Sequence, residues 1–354
     1  MNRRFKEVDL IQKNIKKKPL KMGKMTILAF LTVFAILISI LPASFAVEDS
    51  TATATGYSIA TLDGNVGADV TQNPEISNNI PRTELATQVL ERQKSGSTVL
   101  QFGNGSGNKL LIWAGIHGNE EEANLATMQY LEYIKTQRFN GTLYVVPFAI
   151  PKSTAVNRRT YGPIPYTYTE RVPYKKVKYL KKHTRWYKKA YRHRGKRYHR
   201  WKKSTHHKRA YKWLYKPVQK TGYKYEDPNR VANVAGTPGW NVVEFARNNG
   251  INYILDVHSG SGLDTPKYAN GAIFATDPPF VAAESGWANY IKSITNCEVE
   301  YGGGEPGMVR IWGHRFGINT ITLEVERDTG STRHYADVGL KMIKAACKYF
   351  GFPG

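Results

Sequence analysis

Gly115-Ile116-His117-Gly118-Asn119-Glu120 places an imidazole and a carboxylate three residues apart, between the apolar run Lys109–Ala114 and a helical stretch. A second imidazole closes another apolar run, in Leu255-Asp256-Val257-His258-Ser259-Gly260. Two imidazole nitrogens and one carboxylate oxygen are the three protein ligands of a catalytic zinc, with the fourth position left for water. H-x-x-E alone matches often by chance, and a lone strand-end histidine is more often a satisfied core residue. Here both groups end buried-strand runs, and sites in open α/β sheets form at such carboxyl ends. That shared placement favours one Zn2+ per chain on His117, Glu120 and His258.

A third strand end supplies another carboxylate, in Ile318-Asn319-Thr320-Ile321-Thr322-Leu323-Glu324-Val325-Glu326. An acid inside an apolar strand is costly unless it is paired or employed. Its ordinary alternative is an ion pair with a nearby Lys or Arg. Glu324 and Glu326 point to one face of the strand, so alternation does not choose between them.

The elements that must position these groups follow from hydrophobic periodicity. Strand-like runs occupy 97–102, 109–114, 142–148, 252–257, 271–275 and 320–325; helical patterns occupy 83–93, 120–136, 239–248, 279–294 and 336–349. Buried strands alternating with helices predict an α/β domain with a mostly parallel mixed sheet, helices on both faces. Residues 47–80, rich in Thr, Asn, Ala, Gly and Asp, read as a flexible linker. The catalytic domain is then expected in two parts, 81–160 and 225–354, with an insertion at 161–224.

The 354 residues carry a formal net charge of +23. Of this, residues 1–24 hold +7 and residues 171–224 hold +22 with no Asp or Glu, which leaves the remainder at −6. A nucleic-acid protein is expected to be basic in its folded domain, so nucleic acid is disfavoured as the partner. The basic leader 1–24 precedes an uncharged apolar stretch within 25–46 that ends Ser44-Phe45-Ala46. That pattern is a signal peptide or an N-terminal membrane anchor, and it places the rest of the chain outside the cytoplasm. There Cys297 and Cys347 either pair or remain buried thiols, and Asn104-Gly-Ser and Asn140-Gly-Thr match glycan acceptors.

With Asp227-Pro228-Asn229-Arg230 and Gly317-Ile318-Asn319-Thr320-Ile321-Thr322-Leu323-Glu324 added to the two histidine segments, the set resembles the zinc carboxypeptidase superfamily, including its succinylglutamate desuccinylase/aspartoacylase branch. The resemblance covers residues 83–354 apart from the basic block, and the motifs occur in the family's order. It implies zinc on His117, Glu120 and His258, a substrate carboxylate gripped by Asn229 and Arg230, and a carbonyl polarised by Arg158 or Arg159. It also implies Glu324 as general base in preference to Glu326, and Arg310 at the base of the pocket for the leaving residue's side chain. Tyr268, Tyr290 and Tyr301 are candidates for a completing tyrosine. Pro228 stands where the family usually has leucine. The expected fold is a single zinc-carboxypeptidase-like domain. The expected activity is cleavage of an amide bond beside a free carboxylate, on cell-wall peptides; the alternatives are a deacylase of N-acyl amino acids and a non-catalytic envelope-binding protein.

The basic block interrupts the segment between Arg159 and Asp227, and it interleaves Tyr and Trp with Lys and Arg. His193-Arg194-Gly195-Lys196 suits a hairpin turn. Histidines 183, 193, 199, 206 and 207 follow the cationic, aromatic bias and show no ligand-like spacing. The charge and the compartment favour an anionic envelope polymer or membrane surface as partner of residues 171–224.

Overall fold

A computed structural model describes residues 51–52, 56–103, 105, 107–276 and 282–354. The leader and the apolar segment 25–46 lie outside them, as do Asn104 and residues 277–281. Among the described residues no helix is long and apolar enough to cross a membrane.

The run KLLIWA forms β4 (Lys109–Ala114), buried along nearly its whole length as a strand covered on both faces must be. Its neighbours are β5 (Thr142–Val146), β8 (Tyr253–Gly260) and β11 (Asn319–Glu326), and these four run parallel in the order β5-β4-β8-β11. β1 (Thr51–Ala52), β2 (Tyr57–Val66) and β3 (Gly96–Gly103) extend one side of this centre; β9 (Ala272–Ala275) and β10 (Glu298–Tyr301) extend the other. The flanking strands join antiparallel, except that β10 runs parallel to β9. The result is a mixed nine-stranded sheet, parallel at its centre.

Helices cover both faces. α1 (Pro74–Asn79), α2 (Glu84–Gln93), α3 (Glu121–Ile134), α6 (Ala282–Thr295) and α8 (Thr332–Lys348) contribute to one apolar cluster. α5 (Pro238–Asn248) and α7 (Val309–His314) contribute to the other, and the short α4 (Pro151–Ala155) follows β5. α2 starts where the sequence has a cap: Thr83 accepts a hydrogen bond from the Ala86 amide at 3.1 Å.

Two expectations change. Residues 57–80 are not a flexible linker. Tyr57, Ile59 and Leu62 are buried in β2, and Val70 and Ile76 are fully buried under the helices. The polar composition concealed a strand with both faces covered, whose register against β3 is visible only in three dimensions. Cys297 and Cys347 are buried free thiols, so the pairing alternative falls.

The basic block is a separate two-stranded ribbon, β6 (Tyr161–His193) against β7 (Lys196–Glu226). Arg194 and Gly195 form its turn with φ of 47° and 76°. Two successive positive φ values are what a two-residue type I′ hairpin requires.

Candidate metal centre

Gly115 follows β4 with φ 78°, and a Cβ there would lie 2.4 Å from Asn124 Nδ2, so glycine alone lets the chain turn into the α3 approach. Glu120 occupies the N-cap of α3 but makes no capping hydrogen bond. Its carboxylate instead reaches both histidines: Oε1 lies 2.6 Å from His117 Nδ1 and Oε2 lies 2.8 Å from His258 Nδ1. The Ser259 amide donates to Oε2 at 3.3 Å. All three side chains are about 2% exposed, and their ligand atoms lie within 4.8 Å of one another.

The outer nitrogens of both imidazoles face carboxylates. His117 Nε2 is 2.9 Å from Asp227 Oδ1, and His258 Nε2 is 3.0 Å from Asp256 Oδ1. The Asp227 carboxylate holds the proton on His117 Nε2 and turns Nδ1 inward, whereas Asp256 lies beside His258 Nε2 as a charge partner without a hydrogen bond. The donor set, its convergence and these partners fit a divalent metal.

The electrostatics agree. Burial raises the pKa of Glu120, but the two histidines outweigh it and hold the carboxyl far below its ordinary range. Burial opposes charge on His117 and His258, yet their carboxylate partners raise both above the ordinary histidine value. Asp227 is also lowered, with the His117 bond and the Arg159 charge overcoming burial. One carboxylate between two proton-seeking imidazoles is a site prepared to exchange protons for a cation.

Glu324 is paired in register with His258 on the adjacent parallel strand, so both project to one face. Burial raises its pKa, and its carboxylate has no hydrogen-bond partner among the described side chains and backbone groups. A Cβ at Gly260 would lie 2.6 Å from Glu324 Oε2, so this glycine makes room for the carboxylate. Glu326 is differently placed: its oxygens accept the amides of Leu263 and of Asp328, the latter at 3.0 Å. Geometry thereby separates the two acids that alternation could not.

Arg159 and Arg158 separate as well. Arg159 donates to Asp227 Oδ2 through Nε at 3.1 Å and Nη2 at 3.0 Å, and to Glu120 Oε1 through Nη1 at 3.4 Å. The Arg158 guanidinium sits 4.6 Å over the Tyr225 ring, and its carbonyl accepts the Gly118 amide at 2.9 Å. Asn229 is turned inward: its Oδ1 accepts the Val309 amide at 2.9 Å and its Nδ2 lies 3.4 Å from His258 Nε2. Arg230, Arg310, Thr322 and Glu324 line one cavity of about 260 Å³, with Gly302–Glu305 opposite. Arg310 is 3% exposed, and its Nη2 donates to the carbonyls of Gly302 and Gly303. The Tyr268 hydroxyl bonds Glu300 at 2.9 Å and Tyr290 packs on Tyr349, so both are engaged elsewhere; Tyr301 ends β10 beside Gly302.

Sequence reasoning missed Asp256 and Asp227 as partners of the ligands. Asp256 had a signal, since two residues before His258 it shares that residue's face. Asp227 had none, being 110 residues from His117.

No family model and no curated protein sequence matches the chain. Solved structures do. The chain is similar to metallo-carboxypeptidases and to succinylglutamate desuccinylase/aspartoacylase proteins. One from the second group, from Rhodobacter sphaeroides, is 14% identical with a TM-score of 0.43; the match covers 73% of this chain and 61% of that one. A metallo-carboxypeptidase from Burkholderia cenocepacia gives 14% and 0.43 over 71% and 59%. A product-bound cell shape determinant protein from Helicobacter pylori gives 13% and 0.46 over 72% and 55%. The chain thus spans about 60% of the length of the first two. With identity and TM-score this low, the functional reading rests on this chain's own side chains.

Proposed function

We propose that the chain is an extracytoplasmic zinc-dependent hydrolase that cleaves an amide bond beside a free carboxylate, with cell-wall peptides as its substrate class. The observation that carries this reading is the buried His117–Glu120–His258 cluster with the Glu324 carboxylate in register beside it. Zinc in such a site supplies Lewis-acid polarisation and a water acidified toward neutral pKa.

The chain's own residues supply the rest. Glu324 takes the proton of the attacking water and passes it to the leaving nitrogen. Arg159, held by Asp227 beside Glu120, supports the oxyanion that forms on the carbonyl. Arg230 presents a planar fork to the substrate's terminal carboxylate, and Arg310 deeper in the same cavity favours an acidic side chain on the leaving residue. Asn229 acts from behind, its Oδ1 holding the Val309 amide at the start of α7 while its side chain lies beside His258. The basic leader and apolar segment 25–46 support export or anchoring.

The test is hydrolysis of matched peptides with free and amidated C-termini by the zinc-loaded protein. Loss of a charge-assisted hydrogen-bond pair should lower kcat/KM about 10- to 100-fold for the amidated peptide. Equal turnover of both contradicts the carboxylate requirement, and turnover of N-acyl amino acids alone assigns a deacylase.

A further inference from the structure

The ribbon β6–β7 has no core: neither strand contains a buried residue. A two-stranded hairpin in water is marginal by itself. This one also sets like charges opposite each other, at Lys181–Lys208, Lys189–Arg200 and Arg192–Arg197. Such pairs are destabilising. An anionic partner would remove that repulsion.

The register sorts the rings by face. Trp213 opposite Lys176, Trp186 opposite Lys203 and Trp201 opposite Lys188 lie on one side, each with its cation within 6 Å of the ring centroid. Tyr179, Tyr187, Tyr191 and Tyr198 lie on the other. The three tryptophans are more than half exposed. Cations line both faces. The 22 Lys and Arg of residues 171–224 lie along about 100 Å of ribbon, one per ~4.5 Å. A strand of B-form DNA carries one negative charge per ~3.4 Å of axis, a linear charge density of the same order as the ribbon's.

The ribbon's root lies at the candidate centre. Tyr161 pairs with Glu226, two residues after Arg159 and one before Asp227. A long polymer bound along the ribbon as far as its root reaches the mouth of the site.

We infer that the ribbon is a docking rail for a linear, phosphate-bearing anionic polymer of the cell envelope, which concentrates the hydrolase on peptides attached to that material. The choice of an envelope polymer rests on the exported reading above. The flat rings stack on sugar or polyol faces while the interleaved cations pair with phosphates. Held this way, the site meets attached peptides at a high effective concentration without any new contact to the scissile bond.

The experiment measures binding of the full chain to an immobilised poly(glycerol phosphate), with single-stranded DNA of equal charge and phosphatidylglycerol vesicles as competitors. Binding should weaken at least about 10³-fold between about 50 and 200 mM salt as counterion release diminishes. A variant with Lys181→Gln, Lys208→Gln, Lys189→Gln, Arg200→Gln, Arg192→Gln and Arg197→Gln removes facing like charges, so it relieves the hairpin. Its log–log salt slope should be shallower by about 4, from ~0.7 per lost phosphate contact. Its KM for polymer-attached peptide should rise at least tenfold, with kcat/KM for a small soluble peptide unchanged. Trp186→Ala with Trp201→Ala and Trp213→Ala should weaken polymer binding without changing the salt slope. Unchanged binding in the six-site variant overturns the inference, as does tighter binding to the DNA or to the vesicles. If the hydrolase reading fails instead, polymer binding persists while every peptide is left intact.

Discussion

Asp227→Asn isolates the tether on His117 from the ligands themselves. The carboxylate accepts from His117 Nε2 at 2.9 Å and from Arg159 at 3.0 and 3.1 Å, while Oδ1 also receives the Asn229 amide at 2.9 Å. An amide of the same size can keep the Asn229 bond through its oxygen. Its NH2 group then faces Arg159, or, if flipped, faces His117 and favours the tautomer with the proton on Nδ1, the ligating atom. Loss of an outer carboxylate of this kind typically weakens metal affinity 10- to 100-fold, about 1.4 to 2.7 kcal/mol. Asp256→Asn, which acts on the other imidazole, should weaken it over the same range. The assay is zinc competition against a chromogenic chelator at neutral pH, with Glu326→Gln as the control that leaves affinity unchanged. Affinity of Asp227→Asn within twofold of the wild type would refute the tether. The sign with pH also follows: both histidine pKa values are raised in the metal-free protein, so protons compete from above the ordinary histidine range and affinity falls as pH falls.

Glu324→Gln should keep the metal and lose about 10²- to 10⁴-fold in kcat. Glu326→Gln should keep turnover and lower Tm, because its buried oxygens hold the Leu263 and Asp328 amides. Burial raises Glu324 above its ordinary 4.5, so its charge costs stability as pH rises through the folded value; the metal-free Glu324→Gln protein should therefore melt higher than wild type at neutral pH, with no gain below pH 4.5. Ile59→Ala should destabilise by about 2–5 kcal/mol in chemical denaturation, where a residue in a flexible spacer would give nothing. Arg310→Ala should reduce preference for peptides ending in Glu over those ending in Leu by about 10- to 100-fold, and a wild-type preference for Lys or Leu contradicts the assignment.

The parallel centre of the sheet was legible because KLLIWA and its counterparts are short, apolar and bounded by turns. The three candidate ligands were legible for a related reason: His117 and Glu120 lie in the turn that follows β4, and His258 lies near the end of β8. The N-terminal strand was not, since Thr, Asp, Gly and Asn dilute the alternation around Tyr57, Ile59 and Leu62. Within the site, residue type announced the ligands but not the work of their neighbours. Arg158 and Arg159 are equivalent in sequence and become distinct only when Tyr225, at the end of β7, and Asp227, just after it, come alongside them. Glu324 and Glu326 share a face, so alternation left them equal; the resemblance favoured Glu324, and the two amides on Glu326 are the structural difference between them.

The central claim is a single hydrolytic metal centre on His117, Glu120 and His258. Its most direct test is a titration of metal-free protein with zinc while turnover of a peptide with a free C-terminus is followed. Turnover should rise linearly and break at one equivalent per chain, and His117→Ala should show neither the break nor activity. No turnover in wild-type protein carrying one equivalent of zinc, or an equal response in His117→Ala, would contradict it.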